Sequence, residues 1–194
     1  MVDLSVVIPV RNEAPAIPEL IRELMETLTR WGGAFEIVVI DDGSTDESFD
    51  VLARLQAMDP RLRVIRFRRN FGQTAAFAAG FDHARGRYIV TMDGDLQNDP
   101  ADIPTMVAAL DRGSDIVCGW RKERKDPFWS RRAPSRIANA HAAISTAPAP
   151  PNKWPVIDFV ALIETLYACS PKICLMARVS QRSPISVEVA CALM

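Results

Sequence analysis

Two carboxylates separated by a single glycine, Asp93-Gly94-Asp95, follow directly on the apolar run Tyr88-Ile89-Val90-Thr91-Met92. Hard oxygen ligands so spaced at a strand end suit Mg2+ or Mn2+ held jointly with substrate phosphates. The same three residues are ordinary turn composition, and a solvated turn or a helix cap would use them equally well. An EF-hand does not fit, because Asn98 and Pro104 stand where that loop needs its glycine and its last glutamate. A second acidic pair, Asp41-Asp42, follows Ile37-Val38-Val39-Ile40 and runs into Gly43-Ser44-Thr45-Asp46. Adjacent acids behind a buried strand cost desolvation energy unless polar donors meet them. A nucleobase or ribose would supply donors; the bland alternative is a turn with Asp46 capping the next helix. Neither a G-x-G-x-x-G nor a G-x-x-x-x-G-K-[ST] occurs at the strand ends, which removes the dinucleotide loop and the P-loop as phosphate holders. Phosphates would have to be met by a metal and by basic side chains.

Such groups need a scaffold, and the hydrophobic pattern describes one. The chain has 194 residues, 48% hydrophobic and 24% charged, with 23 basic against 24 acidic side chains. These values suit one globular domain with a tail, and the charge balance argues against a dedicated nucleic-acid binder. No signal peptide is expected, since Asp3 and Arg11 interrupt the first apolar run. The four cysteines match neither zinc nor redox spacing and read as reduced thiols. His83 and His141 have no partner pattern and read as structural. Short apolar runs at 4–8, 37–40, 64–67, 88–92 and 115–118 read as strands. Ile17, Leu20, Ile21, Leu24, Met25 and Leu28 recur at helical spacing, with Gly32-Gly33 as a stop. Further helices are expected around 52–58, over 74–84 and over 101–110. Strands separated by helices require crossover connections, so the expected class is α/β, a mostly parallel sheet flanked by helices. Ligands of such sheets bind beyond the carboxyl ends of the strands.

Three segments in order now carry a resemblance. Val7-Ile8-Pro9-Val10-Arg11-Asn12-Glu13, the run from Ile37 to Asp46, and Met92-Asp93-Gly94-Asp95-Leu96-Gln97-Asn98-Asp99-Pro100 together resemble the family 2 inverting glycosyltransferases. The Asp-Leu-Gln continuation resembles the polyprenyl-phosphate branch, that of dolichol-phosphate mannosyltransferase and undecaprenyl-phosphate sugar transferases. Arg69-Asn70-Phe71-Gly72-Gln73-Thr74-Ala75-Ala76 and Ser135-Arg136-Ile137-Ala138-Asn139 agree with it. The likeness spans residues 4–139. It implies a GT-A fold, a nucleotide-diphosphate sugar as donor, a polyprenyl phosphate as acceptor, and Mg2+ or Mn2+. It also implies a cytoplasmic protein, peripheral at the cytoplasmic face of a membrane, with no nucleic-acid partner. Carried over residue by residue, it places donor contacts at Pro9, Arg11, Glu13, Ile40, Asp42, Asp93, Gly94 and Gln97. It places the metal on Asp93 and Asp95, catalytic roles on Asp95 and Arg121, and the acceptor phosphate near Arg136. Many relatives have an aromatic residue in place of Arg11; a guanidinium plane also stacks on a base. A phosphate acceptor is already anionic, so no strong general base is required. Catalysis then rests on alignment and on offsetting charge at the leaving diphosphate.

Residues 121–136 hold seven basic side chains against Glu123 and Asp126, with Phe128 and Trp129 between them. That pattern suits an anionic membrane surface, and equally a solvated loop. All nine glycines occur by Gly119. Beyond Asn139 the chain becomes proline-rich and glycine-free, with Ala147-Pro148-Ala149-Pro150-Pro151 as an extended linker. Residues 154–177 are apolar but interrupted, which favours an interfacial or disordered segment over a spanning helix. The expected organisation is therefore a domain over 1–139 and an atypical tail over 140–194; a change of reading frame after Asn139 would leave this signature. Alternatives to polyprenyl-phosphate transfer are a remnant that only binds nucleotide sugar, or a family 2 transferase acting on a sugar hydroxyl.

Overall fold

The computed structural model describes residues 1–113, 116–120, 175–178 and 189–193. Seven strands form one sheet: β1 (Leu4–Val10), β2 (Phe35–Asp41), β3 (Leu62–Arg66), β4 (Tyr88–Thr91), β5 (Ile116–Trp120), β6 (Leu175–Arg178) and β7 (Val189–Leu193), in the order β3-β2-β1-β4-β6-β5-β7. The pairs β1–β2, β1–β4, β2–β3 and β5–β7 are parallel, while β6 runs antiparallel to both β4 and β5. Among the described residues four α-helices accompany the strands: α1 (Ile17–Trp31), α2 (Ser48–Met58), α3 (Gln73–His83) and α4 (Ile103–Asp111). The expected α/β class with a mostly parallel sheet is the observed one.

Near-continuous burial along β1 and β2 reflects cover on both faces, as parallel strands require. Alternation along each strand sorts the side chains. Leu4, Val6, Ile8, Ile37 and Val39 pack with Ile17, Leu20, Leu24 and Leu28 of α1 and with Leu52 and Met106 beyond. Val7, Val38 and Ile40 face the other way, onto Ala76 and Phe77 of α3. The helical stripe read from the sequence is thus the buried face of α1, which ends at Gly32 in a left-handed conformation, φ 84°.

Two readings change in the structure. Pro9 does not end β1, which continues through Val10 and pairs Pro9 with Ile40. A proline is tolerated there because β4 pairs β1 only as far as Val7. The Val7 carbonyl accepts from Met92 N–H on that side and Val10 from Asp42 N–H on the other. Pro9 therefore directs its missing donor to a side where the ladder has ended. The second change concerns the tail. Residues 175–177 fall in the stretch 154–177 read as interfacial or disordered, yet with Arg178 they form β6, inserted between β4 and β5; residues 189–193 of the atypical tail form β7. The basic stretch 121–136 and the proline-rich linker lie outside the described residues.

At the amino end of the sheet, away from the acidic loops, Glu36 is 4% exposed. Its carboxylate accepts from Ser5 Oγ (2.7 Å), Arg85 N–H (2.7 Å) and Arg63 Nη1 (2.9 Å). Burial pushes its pKa up, but these hydrogen bonds and the Arg63 charge outweigh that and hold it below the ordinary glutamate range. A carboxylate with a depressed folded value stabilises the fold above its unfolded pKa, about 4.3, and loses that contribution as pH falls through the folded value. Glu36→Ala is expected to cost about 2 kcal/mol in urea denaturation at pH 7, because it removes the buried acceptor shared by Ser5 Oγ, Arg85 N–H and Arg63, leaving Arg85 N–H only Ser5 Oγ and Arg63 the His83 carbonyl. The difference between variant and parent should shrink as the pH is taken below about 4.

Candidate active site

Four loops meet at the carboxyl end of the sheet: 11–16 after β1, 42–47 after β2, 67–72 after β3 and 92–99 after β4. Their positions are fixed by side chains that the sequence presents as turn formers. Asn12 adopts a left-handed conformation, φ 55°, which short amide side chains tolerate. Its N–H donates to Ser44 Oγ (3.0 Å), and its Oδ1 accepts from Thr45 N–H (2.9 Å). Glu13 N–H donates to Ser48 Oγ (2.9 Å), and Asp46 accepts from both Ala14 N–H (3.3 Å) and Ser48 N–H (3.0 Å). The first two loops are therefore one hydrogen-bonded unit. Asp46 holds the start of α2, as the turn reading expects, and reaches across to the first loop as well.

Asp42 ties in the third loop. It is 5% exposed, and its two oxygens accept from Phe71 N–H (2.7 Å) and Gly72 N–H (3.0 Å). Its neighbour Asp41 is fully buried; Oδ1 accepts from Ser44 N–H (2.9 Å), whereas Oδ2 makes no hydrogen bond. Arg66 Nε lies 3.7 Å from that oxygen, within ion-pair but not hydrogen-bond range. Gly43 connects the loops by contact. Its φ is 67°, and a Cβ there would fall 2.4 Å from Arg69 C and 2.6 Å from Asn70 N, so glycine is needed for both conformation and space.

The acidic loop after β4 packs against β1. A Cβ on Gly94 would lie 2.8 Å from Val10 Cγ1, so the glycine lets the backbone between Asp93 and Asp95 approach the end of β1. Gln73, the first residue of α3, donates through Nε2 to Asp93 Oδ1 (3.0 Å). Gln97 N–H donates to Asp95 Oδ1 (3.2 Å). Between them Leu96 has φ 59° and is 41% exposed, a conformation that costs a leucine about 1–2 kcal/mol. Asp99 caps the following 3₁₀ turn by accepting from Ala101 N–H (2.9 Å). The Glu13 carboxyl is pushed up by burial first and then by the charges of Asp95 and Asp46. Glu13 thus lies within electrostatic reach of Asp95 and Asp46, and a bound cation would offset their charge.

The candidate residues separate into two groups. Pro9, Arg11, Glu13, Asp93, Gly94, Asp95 and Gln97 all sit at this carboxyl end, with Arg11 and Gln97 exposed and Glu13, Asp93 and Asp95 half-buried. Ile40 is different: its side chain is fully buried against α3, so a base could meet only its backbone. Asp42 accepts backbone hydrogen bonds of the third loop through both oxygens, each of which keeps a further lone pair. Arg121 and Arg136 lie outside the described residues. Gln73 and Asp41 are the additions. Gln73 had no assigned role because its partner is twenty positions away. For Asp41 the signal was present, an acid directly behind an apolar strand, but not which of the two acids keeps an unfilled oxygen.

Asp93 and Asp95 bring the donor type, carboxylate oxygen, that a small hard cation takes. Among the described residues no three His, Cys, Asp or Glu groups cluster as a complete protein cage. Two carboxylates at a loop leave positions for diphosphate oxygens and water, the arrangement Mg2+ accepts in phosphate-bearing sites.

The glycosyl transferase family 2 model matches residues 5–178. The chain belongs to glycosyl transferase family 2. It is 45% identical over 139 residues to a dodecaprenyl-phosphate galacturonate synthase of Rhizobium johnstonii, covering 71% of this chain and 41% of that protein. It is 44% identical over 144 residues to an undecaprenyl-phosphate 4-deoxy-4-formamido-L-arabinose transferase of Pseudomonas aeruginosa, covering 74% and 42%. The chain thus spans about two fifths of the length of these curated relatives. Among solved structures, a mannosyltransferase from Pyrobaculum calidifontis in complex with GDP-Man and Mn2+ is similar with TM-score 0.52 and 25% identity, over 61% of this chain and 35% of that one. Glucosyl-3-phosphoglycerate synthase from Mycobacterium tuberculosis, with Mn2+, UDP and phosphoglyceric acid, gives TM-score 0.58 at 20% identity over 91% and 55%. The fold of this family 2 chain is GT-A, as the resemblance implied.

Gly43→Ala should destabilise the chain by about 2–4 kcal/mol, the sum of a left-handed alanine and a backbone clash. Thermal denaturation beside an exposed control such as Gly113→Ala, φ 115° with nothing near its Cβ, separates the two contributions, because the control carries only the conformational cost.

Proposed function

We propose that this family 2 chain carries the donor-binding half of a transferase that moves a sugar from a nucleotide-diphosphate donor to a polyprenyl phosphate, with inversion at the anomeric carbon. The observation that carries the reading is the Asp93-Gly94-Asp95 loop drawn against the end of β1, in a chain 44–45% identical to two polyprenyl-phosphate sugar transferases. Asp93 and Asp95 would hold Mg2+ or Mn2+, which when bound offsets the charge developing on the leaving diphosphate. The similar mannosyltransferase structure in complex with GDP-Man and Mn2+ supports this choice of cation.

The chain's own residues divide the remaining work. Asp42, which keeps lone pairs beyond its two backbone hydrogen bonds, would accept from a nucleobase N–H as the resemblance implies, while the fully buried Asp41 faces the Arg66 charge at 3.7 Å. Arg11, exposed at the end of β1, would lay its guanidinium plane on the base. Glu13, Gly94 and Gln97 would border the ribose and diphosphate. Arg121 would meet the diphosphate and Arg136 the acceptor phosphate, in the roles the family resemblance assigns to them. The acceptor phosphate is an anion at neutral pH, so attack needs orientation rather than deprotonation. No described helix is long and apolar enough to cross a membrane; the basic, aromatic stretch 121–136 supports a peripheral position at the cytoplasmic face, beside a lipid-borne acceptor.

Calorimetry should show uptake of a nucleoside diphosphate that Mn2+ strengthens about tenfold or more, and Asp95→Ala should remove that enhancement. The melting temperature of the variant should stay close to that of the parent, because Asp95 is half-buried in a loop. Nucleotide uptake by the parent that is indifferent to divalent cations would contradict the reading. Sugar transfer to polyprenyl phosphate in detergent, lost in Asp95→Ala, is the corresponding activity measurement.

A further inference from the structure

We infer that Gln73 is a positioning residue for Asp93, and that Asp42 sets its height by clamping the loop before it. The inference rests on the proposed cation site. Nε2 of Gln73 donates to Asp93 Oδ1 at 3.0 Å. A carboxylate only accepts, so the amide must turn its NH2 group toward Asp93. One oxygen of Asp93 is thereby held by a neutral donor, which orients the carboxylate while leaving its charge in place for a cation. A lysine at this position would instead neutralise the charge that the cation needs. Hydrogen-bonded partners behind ligating carboxylates fix their orientation in this way.

The donor is itself held. Gln73 opens α3 directly after Gly72, whose N–H is accepted by Asp42 Oδ2 (3.0 Å) and by Asn70 Oδ1 (2.8 Å). Phe71 N–H is accepted by Asp42 Oδ1 (2.7 Å). The loop that enters α3 is therefore pinned to the end of β2 within two residues of the glutamine. Asp93 follows β4, on the far side of β1. A chain of contacts runs from Asp42 through Phe71 and Gly72 to Gln73 and Asp93, across the mouth of the sheet. It makes the geometry of the acidic loop depend on the loop after β3.

Gln73 is exposed, so Gln73→Met removes the donor with little change of volume and no core contact. With a nucleoside diphosphate present, Mn2+ binding to the 194-residue chain can be read by electron paramagnetic resonance of the free ion. Gln73→Met is expected to weaken Mn2+ about tenfold with the melting temperature unchanged. On an Asp93→Asn background the same change should have no further effect, since the glutamine acts through that carboxylate. Gln73→Ala, equally unable to donate, repeats the measurement should methionine disturb the fold. Mn2+ affinity within about twofold of the parent, or an equal loss on both backgrounds, would overturn the positioning role while leaving the cation site standing. No Mn2+ binding by the parent would overturn both.

Discussion

The paired hydrogen bonds that the Asp42 carboxylate accepts from Phe71 and Gly72 hold together the part of this molecule that has chemistry to do. Burying a carboxylate to 5% exposure is costly, and two short backbone donors at 2.7 and 3.0 Å repay much of that cost. Around it, Asn12, Ser44, Asp46 and Ser48 tie the loops after β1 and β2 into one unit. These loops would otherwise be free to move independently, since none lies within the sheet ladder. With them fixed, the mouth of the sheet presents an arrangement of charge rather than a set of flexible connections.

That arrangement concentrates negative charge. The raised Glu13 carboxyl reports it: burial acts first, and the proximity of Asp95 and Asp46 adds to it. A protein that gathers acids on loops pays in stability, and the left-handed Leu96 between Asp95 and Gln97 adds local strain. Both features have a rationale if a divalent cation and an anionic diphosphate occupy the mouth together. The stabilising carboxylate Glu36 lies at the opposite end of the sheet, where hydrogen bonds and Arg63 satisfy it. Two acidic regions thus lie at opposite ends of one sheet: Glu36 is hydrogen-bonded and structural, and the other is where the proposed cation would bind.

Membership of glycosyl transferase family 2 over residues 5–178 fits this division. The described residues form the alternating strands and helices of a GT-A fold, with β6 and β7 continuing the sheet beyond β4. The antiparallel insertion of β6 between β4 and β5 brings residues as far apart in sequence as Tyr88 and Arg178, or Ile116 and Ala177, into one sheet. It also covers the edge that β4 would otherwise expose, the kind of edge that invites aggregation.

The chain's linear pattern was enough to establish the alternating strands and helices, the buried face of α1, and the placement of Asp93, Gly94, Asp95, Pro9, Arg11 and Glu13 at one end of a sheet. These follow from local periodicity and from the rule that loops after parallel strands gather at one edge. Only the folded molecule decided that Pro9 lies within β1, that Asp42 holds a loop while Asp41 keeps an open oxygen, and that Ile40 belongs to the core. The same is true of the Gln73–Asp93 bond and of β6 and β7. Each depends on partners distant in sequence, and a residue's type does not state which donor three dimensions will bring to it. Burial and hydrogen-bond capacity are settled by packing, whereas periodicity is written along the chain.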